Sequence, residues 1–357
     1  MTMFHPYQMA PAYAFWRNGV AALEGEDFSH LFKPKFGLSP SDLFATAGSC
    51  FAQHIGRILL DSGCGVLDAE PAPRHLEPNV AKAYGYGIYS GRYGNIYTAR
   101  QMRELLEEIL SDPPLPTICW PMNLRWVDAL RPSIEPEGLS SAYEVVIHRN
   151  EHLTALRTQL PQCSVFVFTL GMTEAWQDRE TGRTLPVCPG VIGGAFSDAT
   201  CAFVDFRYPS LMEDLTRIRD LLHIFNSEMR LLLTVSPVPL SATASGRHVL
   251  TASSRAKATL RAAAEDFADR HADVDYFPSF EIVTSPASRS PCFEPNLRHV
   301  RAETVAKVMS VFTQAYALGT TSPSNVAEAP LRATFKVKDP EAALICEEAL
   351  LNAFARK

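Results

Sequence analysis

Residues 44–54 read FATAGSCFAQH, and the fold turns on how this stretch divides. Leu43 to Ala47 is a short apolar run of strand type. Phe51 to Leu60 carries Ile55, Leu59 and Leu60 at helix-like spacing. Between them stands Gly48-Ser49-Cys50. A serine between a strand and a helix sits where backbone N–H groups point at whatever binds there. Its small neighbours, Ala47 and Gly48, let a substrate approach the backbone closely. That suits a nucleophile whose tetrahedral intermediate carries an oxyanion. The plainer reading of Ser49 is a helix N-cap, since serine is among the preferred caps.

Outward from this stretch the same alternation continues. Residues 42–69 read strand, helix, strand, with GCGVLD (63–68) as turn and second strand. CSVFVFTL (163–170) and MRLLLTV (229–235) are continuous apolar runs of the kind buried on both faces, and 274–277 is a short strand. Amphipathic helices are expected over 98–111, opened by Thr98, over 139–160, capped near Ser140-Ser141, and over 209–226, 252–271 and 301–317. Residues 1–40 are expected to wrap the domain, 70–100 to be loop-rich and 176–204 to be loop or hairpin.

Buried strands alternating with helices predict a three-layer α/β/α sandwich with a mostly parallel central sheet. Ligands bind such sheets outside the carboxyl ends of the strands. Three chemically dense segments fall there: Gly48-Ser49, Gly171-Met172-Thr173-Glu174 and Ser236-Pro237. The expected division is one domain over 1–320, then a Ser/Pro/Asn linker and a terminal helix over 321–357. That helix, with Leu350, Leu351 and Phe354, would dock on the domain or join a second subunit as a homo-oligomer.

The 357 residues suffice for one large or two ordinary domains, and the composition, 46% hydrophobic and 20% charged, is that of a soluble globular protein. A net charge of −6 gives no reason to expect nucleic acid as a partner. The N-terminus lacks a basic segment followed by a clean apolar core, and no apolar run approaches a membrane span. Eight cysteines form no C-x-x-C pair. Reduced thiols in the cytoplasm are the expectation, with no cofactor and no metal.

The motif order resembles the GSCFA family, named for Gly48-Ser49-Cys50-Phe51-Ala52 itself. YGNIYT (93–98), RPS (131–133), FTLGMTEAW (168–176), CPG (188–190), TVSPVPL (234–240), YFPSFEIV (276–283) and LRHV (297–300) look like family blocks in family order, over roughly 5–317. The family looks like a branch of the SGNH (GDSL-like) hydrolases. The resemblance implies a serine esterase or O-acyltransferase acting on a small acyl ester, often acetyl, of a carbohydrate. Ser49 matches the nucleophile and His299 the base. Oxyanion donors would be the Ser49 N–H, the Gly94 N–H and a side chain, Asn95 or Thr173. Gly171, Glu174, Trp176 and Arg131, with the tyrosines at 84–97, would line the substrate side, where aromatics and a bidentate arginine suit a sugar.

Two departures stand out. The clan's Gly-x-Asn-Asp block reads Gly171-Met172-Thr173-Glu174 here; the threonine is the GSCFA family's own variant, so it fits the resemblance. Three residues before His299, where the clan has aspartate, stands Asn296. Asparagine can accept from the imidazole Nδ1–H and fix the ring, but cannot stabilise an imidazolium by charge. The chain would then be a slow enzyme, recruit Glu294 or Glu281, or act only as a binding protein. Cys50, beside Ser49, reads as packing, with a Cys-His-Asn site as the rival.

A reading from another class rests on His148-x-x-Glu151-His152, the inverted zinc-peptidase pattern. On a helix the two histidines lie one turn apart and could share a metal, with Glu228 as a candidate third ligand.

Overall fold

The computed structural model describes residues 5–23, 28, 30–39, 41–318 and 347–355. Its strands are β1 (Leu43–Gly48), β2 (Gly65–Val66), β3 (Cys119–Met122), β4 (Arg125–Asp128), β5 (Val165–Leu170), β6 (Glu174–Asp178), β7 (Thr184–Leu185), β8 (Cys201–Asp205), β9 (Arg230–Val235) and β10 (Val274–Phe277). Its α-helices are α1 (Ala52–Asp61), α2 (Pro78–Ala83), α3 (Ala99–Leu110), α4 (Ala142–Gln159), α5 (Tyr208–Phe225), α6 (Val249–Arg270), α7 (Ser279–Thr284) and α8 (Ala302–Ala315).

Five strands form one parallel sheet in the order β10-β9-β5-β1-β2. Both faces of the central strands are apolar, so both must be covered. Ala45, Ala47, Phe166, Phe168, Leu231 and Leu233 face one layer, with Leu106 of α3, Leu156 of α4, Leu215 of α5 and Phe267 of α6. Phe44, Val165, Val167, Leu232 and Phe277 face the other, with Leu59 of α1, Ile282 of α7 and Phe312 of α8. Each such buried Phe, Leu, Ile or Val side chain contributes about 1.5–3 kcal/mol relative to exposure. The expected three-layer α/β/α architecture is therefore the observed one.

Helix starts follow the local chemistry. Thr98 caps α3, accepting from the Gln101 N–H at 3.2 Å, and Gln101 reaches back to the Thr98 N–H at 3.0 Å. Ser141 caps α4 by accepting from the Glu144 N–H.

Several expectations change. The second strand keeps only Gly65–Val66. Residues 176–204 are part of a second, antiparallel sheet, β7-β6-β8, and 119–128 form the hairpin β3-β4. Trp120, Val127, Leu185, Val187 and Cys201 close a small core of their own. From the N-terminal segment, Phe28 and Phe32 pack into the layer containing α8, whereas Tyr7, Met9, Tyr13 and Trp16 stay exposed. The expected linker lies outside the described residues. Of the expected terminal helix, Glu347–Phe354 is a 3₁₀-helix.

The strand order places the chain reversal between β1 and β5. β1 leads to β2 on one side and, through the long crossover, to β5 on the other. In open parallel sheets the crevice at this reversal is where ligands bind. Ser49 follows β1 and Gly171 follows β5, one on each side of it.

Candidate active site

Gly48 ends β1 with φ of 139°, a conformation that L side chains rarely adopt. A Cβ there would stand 2.4 Å from the Thr169 carbonyl oxygen. Gly48 thus lets β1 run against β5 to its last residue and then turn sharply into Ser49.

Backbone bonds stitch three loops around this turn. The Ser49 N–H donates to Thr169 O at 3.2 Å, and the Ile96 N–H donates to Gly48 O at 2.9 Å. The N–H groups of Gly171 and Met172 both donate to Tyr97 O, each at 3.0 Å. Gly171 is the point of closest approach: a Cβ on it would lie 3.0 Å from Ser49 Cβ.

Ser49 is 3% exposed, and its Oγ has no hydrogen-bond partner. The N-cap alternative fails, because α1 begins at Ala52 with Phe51 at its cap position and no side-chain cap bond. Buried polar atoms are nearly always paired, so an orphaned hydroxyl needs an explanation. This one lies on a small cavity of about 10 Å³, room for roughly one water-sized group. Tyr97, Met172, Val238, Pro239 and Leu240 line it with Ser49, Cys50, Gly171 and Ser236. The cavity is therefore largely apolar.

His299 sits on a tight turn between α7 and α8. The turn is held by Glu294 N–H to His299 O (2.8 Å), Leu297 N–H to Glu294 O (2.8 Å) and the Phe293–Val300 bridge. Arg298 Nε donates to Pro239 O at 3.3 Å, which fastens the turn to a residue lining the Ser49 cavity. Asn296 Oδ1 accepts from the backbone N–H of both Arg298 (3.0 Å) and His299 (2.9 Å). Its Nδ2 lies 2.8 Å from His299 Nδ1. The amide thus donates to the imidazole, where acceptance from Nδ1–H was expected. Of the alternative carboxylates, Glu281 is bound to Arg261 and to the Tyr276 hydroxyl (2.9 Å). Glu294 meets His299 through the backbone bond.

The other predicted residues scatter. Gly94 and Asn95 line a different cavity of about 10 Å³ with Tyr89 and Ile134, which shares no lining residue with that of Ser49. Asn95 Oδ1 accepts from the Tyr89 hydroxyl at 2.5 Å, which orients the amide. The Thr173 hydroxyl donates to Asp205 at 2.9 Å, and Glu174 accepts from the Thr243 hydroxyl. Trp176 is half-buried on β6, edge-on to Phe196 and Phe203. Arg131 does not line the Ser49 cavity. It is 5% exposed, and its three guanidinium nitrogens donate to Asp128 (2.9 Å), Arg92 O (3.0 Å) and His148 O (2.9 Å).

The histidine pair of the zinc-peptidase pattern does not converge either. His152 is fully buried with Nδ1 2.6 Å from Glu70, while Glu151 is exposed. Among the described residues no group of three His, Cys, Asp or Glu could hold a metal ion. That alternative is set aside.

One residue escaped the sequence reading. Lys257 of α6 is 5% exposed and donates to the Gly171 carbonyl oxygen at 2.6 Å. The available signal was its place on the buried stripe of α6, between Ser253 and Leu260.

Comparison with known proteins gives a match to the profile of the GSCFA family over residues 43–312. No curated protein matches. Among solved structures, one similar chain is a carbohydrate esterase family 2 enzyme with a carbohydrate-binding domain from Corynascus thermopiles (Myceliophthora fergusii), at 14% identity and TM-score 0.25. It covers 44% of this chain, which spans 37% of its length. A second is described as a GDSL-like lipase, from Parabacteroides merdae, at 12% identity and TM-score 0.33, covering 80% of this chain and 100% of its own. A third is a carbohydrate esterase family 3 structure from Talaromyces cellulolyticus, at 11% identity and TM-score 0.30, covering 76% and 94%. Among the described residues no helix is long and apolar enough to cross a membrane.

Proposed function

The chain belongs to the GSCFA family, and from that premise we propose that it is an ester hydrolase or O-acyltransferase working through an acyl-Ser49 intermediate. The observation that carries this is the buried, unpartnered Ser49 Oγ on a cavity at the sheet's switch point. In this reading Ser49 Oγ attacks the acyl carbonyl. An Oγ–C bond forms, the Oγ proton passes to His299 Nε2, and the carbonyl oxygen becomes an oxyanion. Collapse breaks the ester C–O bond, and the departing alkoxide takes the proton from Nε2. Water, or a second hydroxyl, then removes the acyl group by the same steps.

The cavity admits about one water-sized group as it stands, so long acyl chains are disfavoured and even an acetyl group requires its walls to part. The Gly94 N–H, the Asn95 amide, the Ser49 N–H and the Thr173 hydroxyl are the proposed oxyanion donors; the first two line a different cavity from Ser49 and would have to be brought to it. In the resting structure the Ser49 N–H is bonded to Thr169 O and the Thr173 hydroxyl to Asp205, so those two would have to exchange partners. A carbohydrate ester is the proposed substrate class, with Trp176 and Glu174 as its proposed contacts beyond the cavity.

A non-catalytic binding protein is the second reading. It is favoured by one observation: the Ser49 hydroxyl and the His299 ring are not hydrogen-bonded to each other.

The test is labelling with a fluorophosphonate probe, read by intact mass and peptide mapping on the wild type and Ser49→Ala. A single adduct on Ser49, lost in the variant, supports the hydrolase reading. An acetylated-sugar panel then separates hydrolysis from transfer. Absence of labelling together with saturable binding of an acetylated sugar supports the binder.

A further inference from the structure

Asn296 carries information beyond its place in the motif. Its carboxamide has one acceptor atom and one donor atom, and they are not interchangeable here. Two backbone N–H groups, of Arg298 and His299, point at Oδ1 from 3.0 and 2.9 Å. Turning the amide over would set its NH₂ against both donors and break both bonds. The amide orientation is therefore fixed by the turn, and Nδ2 is the atom that faces His299 Nδ1 at 2.8 Å. An N–H donor requires an acceptor opposite it, so Nδ1 presents its lone pair. A neutral imidazole carries one proton, which then sits on Nε2.

We propose that Asn296 is a positioning residue that holds neutral His299 as the Nε2–H tautomer, so that the resting ring is a hydrogen-bond donor at Nε2 rather than a base. The proposal rests on the reading of Ser49 and His299 as nucleophile and base. It deepens that reading by assigning the chain a built-in brake. A ring already protonated at Nε2 cannot take the Ser49 proton there. To do so it must first shift its own proton to Nδ1, against the Asn296 amide. An aspartate at 296 would keep both backbone N–H bonds on one oxygen and offer the other to Nδ1–H, leaving Nε2 basic. The side chains are nearly isosteric, so the turn survives the exchange.

The experiment is a long-range ¹H–¹⁵N correlation spectrum of the imidazoles, at a pH where His299 is neutral, on the wild type, Asn296→Asp and His299→Gln. The last assigns the signals. The wild type should show His299 with a proton on Nε2 and a bare Nδ1. In Asn296→Asp the proton should move to Nδ1, and the rate of fluorophosphonate labelling at Ser49 should rise by about a hundredfold to ten-thousandfold, the inverse of what an Asp-to-Asn change costs in a serine protease. A wild-type Nδ1–H would overturn the proposal whatever the activity, and needs no variant to detect. A proton shift in Asn296→Asp without faster labelling would uphold the tautomer assignment and count against Ser49 and His299 as nucleophile and base.

Discussion

The Lys257 ammonium donates to the carbonyl oxygen of Gly171 at 2.6 Å, behind the loop that presses on Ser49. A buried cation is costly unless well bonded, so its place here points to a role in holding the loop. The same loop is tied to α6 a second time, through Thr173 to Asp205 and Asp205 to Arg255.

Lys257→Met should therefore do two things. It leaves the Gly171 carbonyl short of its charged donor, a loss of about 1–3 kcal/mol. It also frees the 171–173 loop, so labelling at Ser49 should slow about tenfold or more. Urea unfolding and probe kinetics measure the two separately. Loss of stability with an unchanged labelling rate would make Lys257 a packing residue only.

Two glycines at positive φ make a controlled pair. At Gly48 a Cβ meets backbone at 2.4 Å, whereas at Gly63 (φ of 78°) nothing lies within 4 Å. Gly63→Ala should cost only the left-handed conformation, about 1–2 kcal/mol. Gly48→Ala adds a clash with β5 that cannot be relieved without parting two central strands, and should yield no folded protein. Soluble expression and circular dichroism decide it. A folded Gly48→Ala would show that the turn into Ser49 can shift.

The buried pair of Glu70 and His152 sets an acid limit. Burial, then the charge of Arg131, pushes the His152 imidazole down to about 4 from 6.5. Between those values the unfolded chain binds a proton that the folded chain does not. Stability fully present above pH 6.5 is thus lost as the pH falls toward 4, by about 3 kcal/mol. For Glu70, burial acts upward. The bond to His152, the charges of His152 and Arg131, and the Arg92 N–H outweigh it and bring the carboxyl down to about 2. Its contribution is lost lower still, as the pH falls from 4.5 toward 2. Urea midpoints measured from pH about 7 down to about 4.5 should fall in the wild type and stay nearly level in His152→Gln. Parallel slopes would place the acid sensitivity elsewhere.

The parallel sheet was legible because its strands are apolar on both faces and its helices carry clean stripes and caps, as in Val165–Leu170 and at Thr98. The β7-β6-β8 sheet was not. Glu174–Asp178 mixes charged and aromatic residues over five positions, and beyond the short hairpin to β7 its pairing partners lie more than twenty residues downstream in β8. Ser49, Gly171 and Ser236 were found together because each follows a buried strand. Arg131 read as a substrate contact, yet its acceptors on Arg92 and His148 come from distant segments that only the fold brings near. Lys257 was missed for the opposite reason: a lysine on a helix is ordinarily solvated, and nothing local marks this one as buried.

Ser49 itself gives the sharpest test of function against structure. A hydroxyl that is buried and unpartnered costs stability, about 1–3 kcal/mol of desolvation that no bond returns. A residue retained for packing would not carry that penalty, whereas a residue retained for chemistry does. Ser49→Ala removes the oxygen and leaves the turn at Gly48 and the strand pairing untouched. It should raise the urea midpoint by an amount equivalent to about 1 kcal/mol while abolishing probe labelling. If Ser49→Ala instead unfolds more easily than the wild type, the hydroxyl is a structural anchor, and the nucleophile must be sought elsewhere in the cavity, first at Cys50 and Ser236.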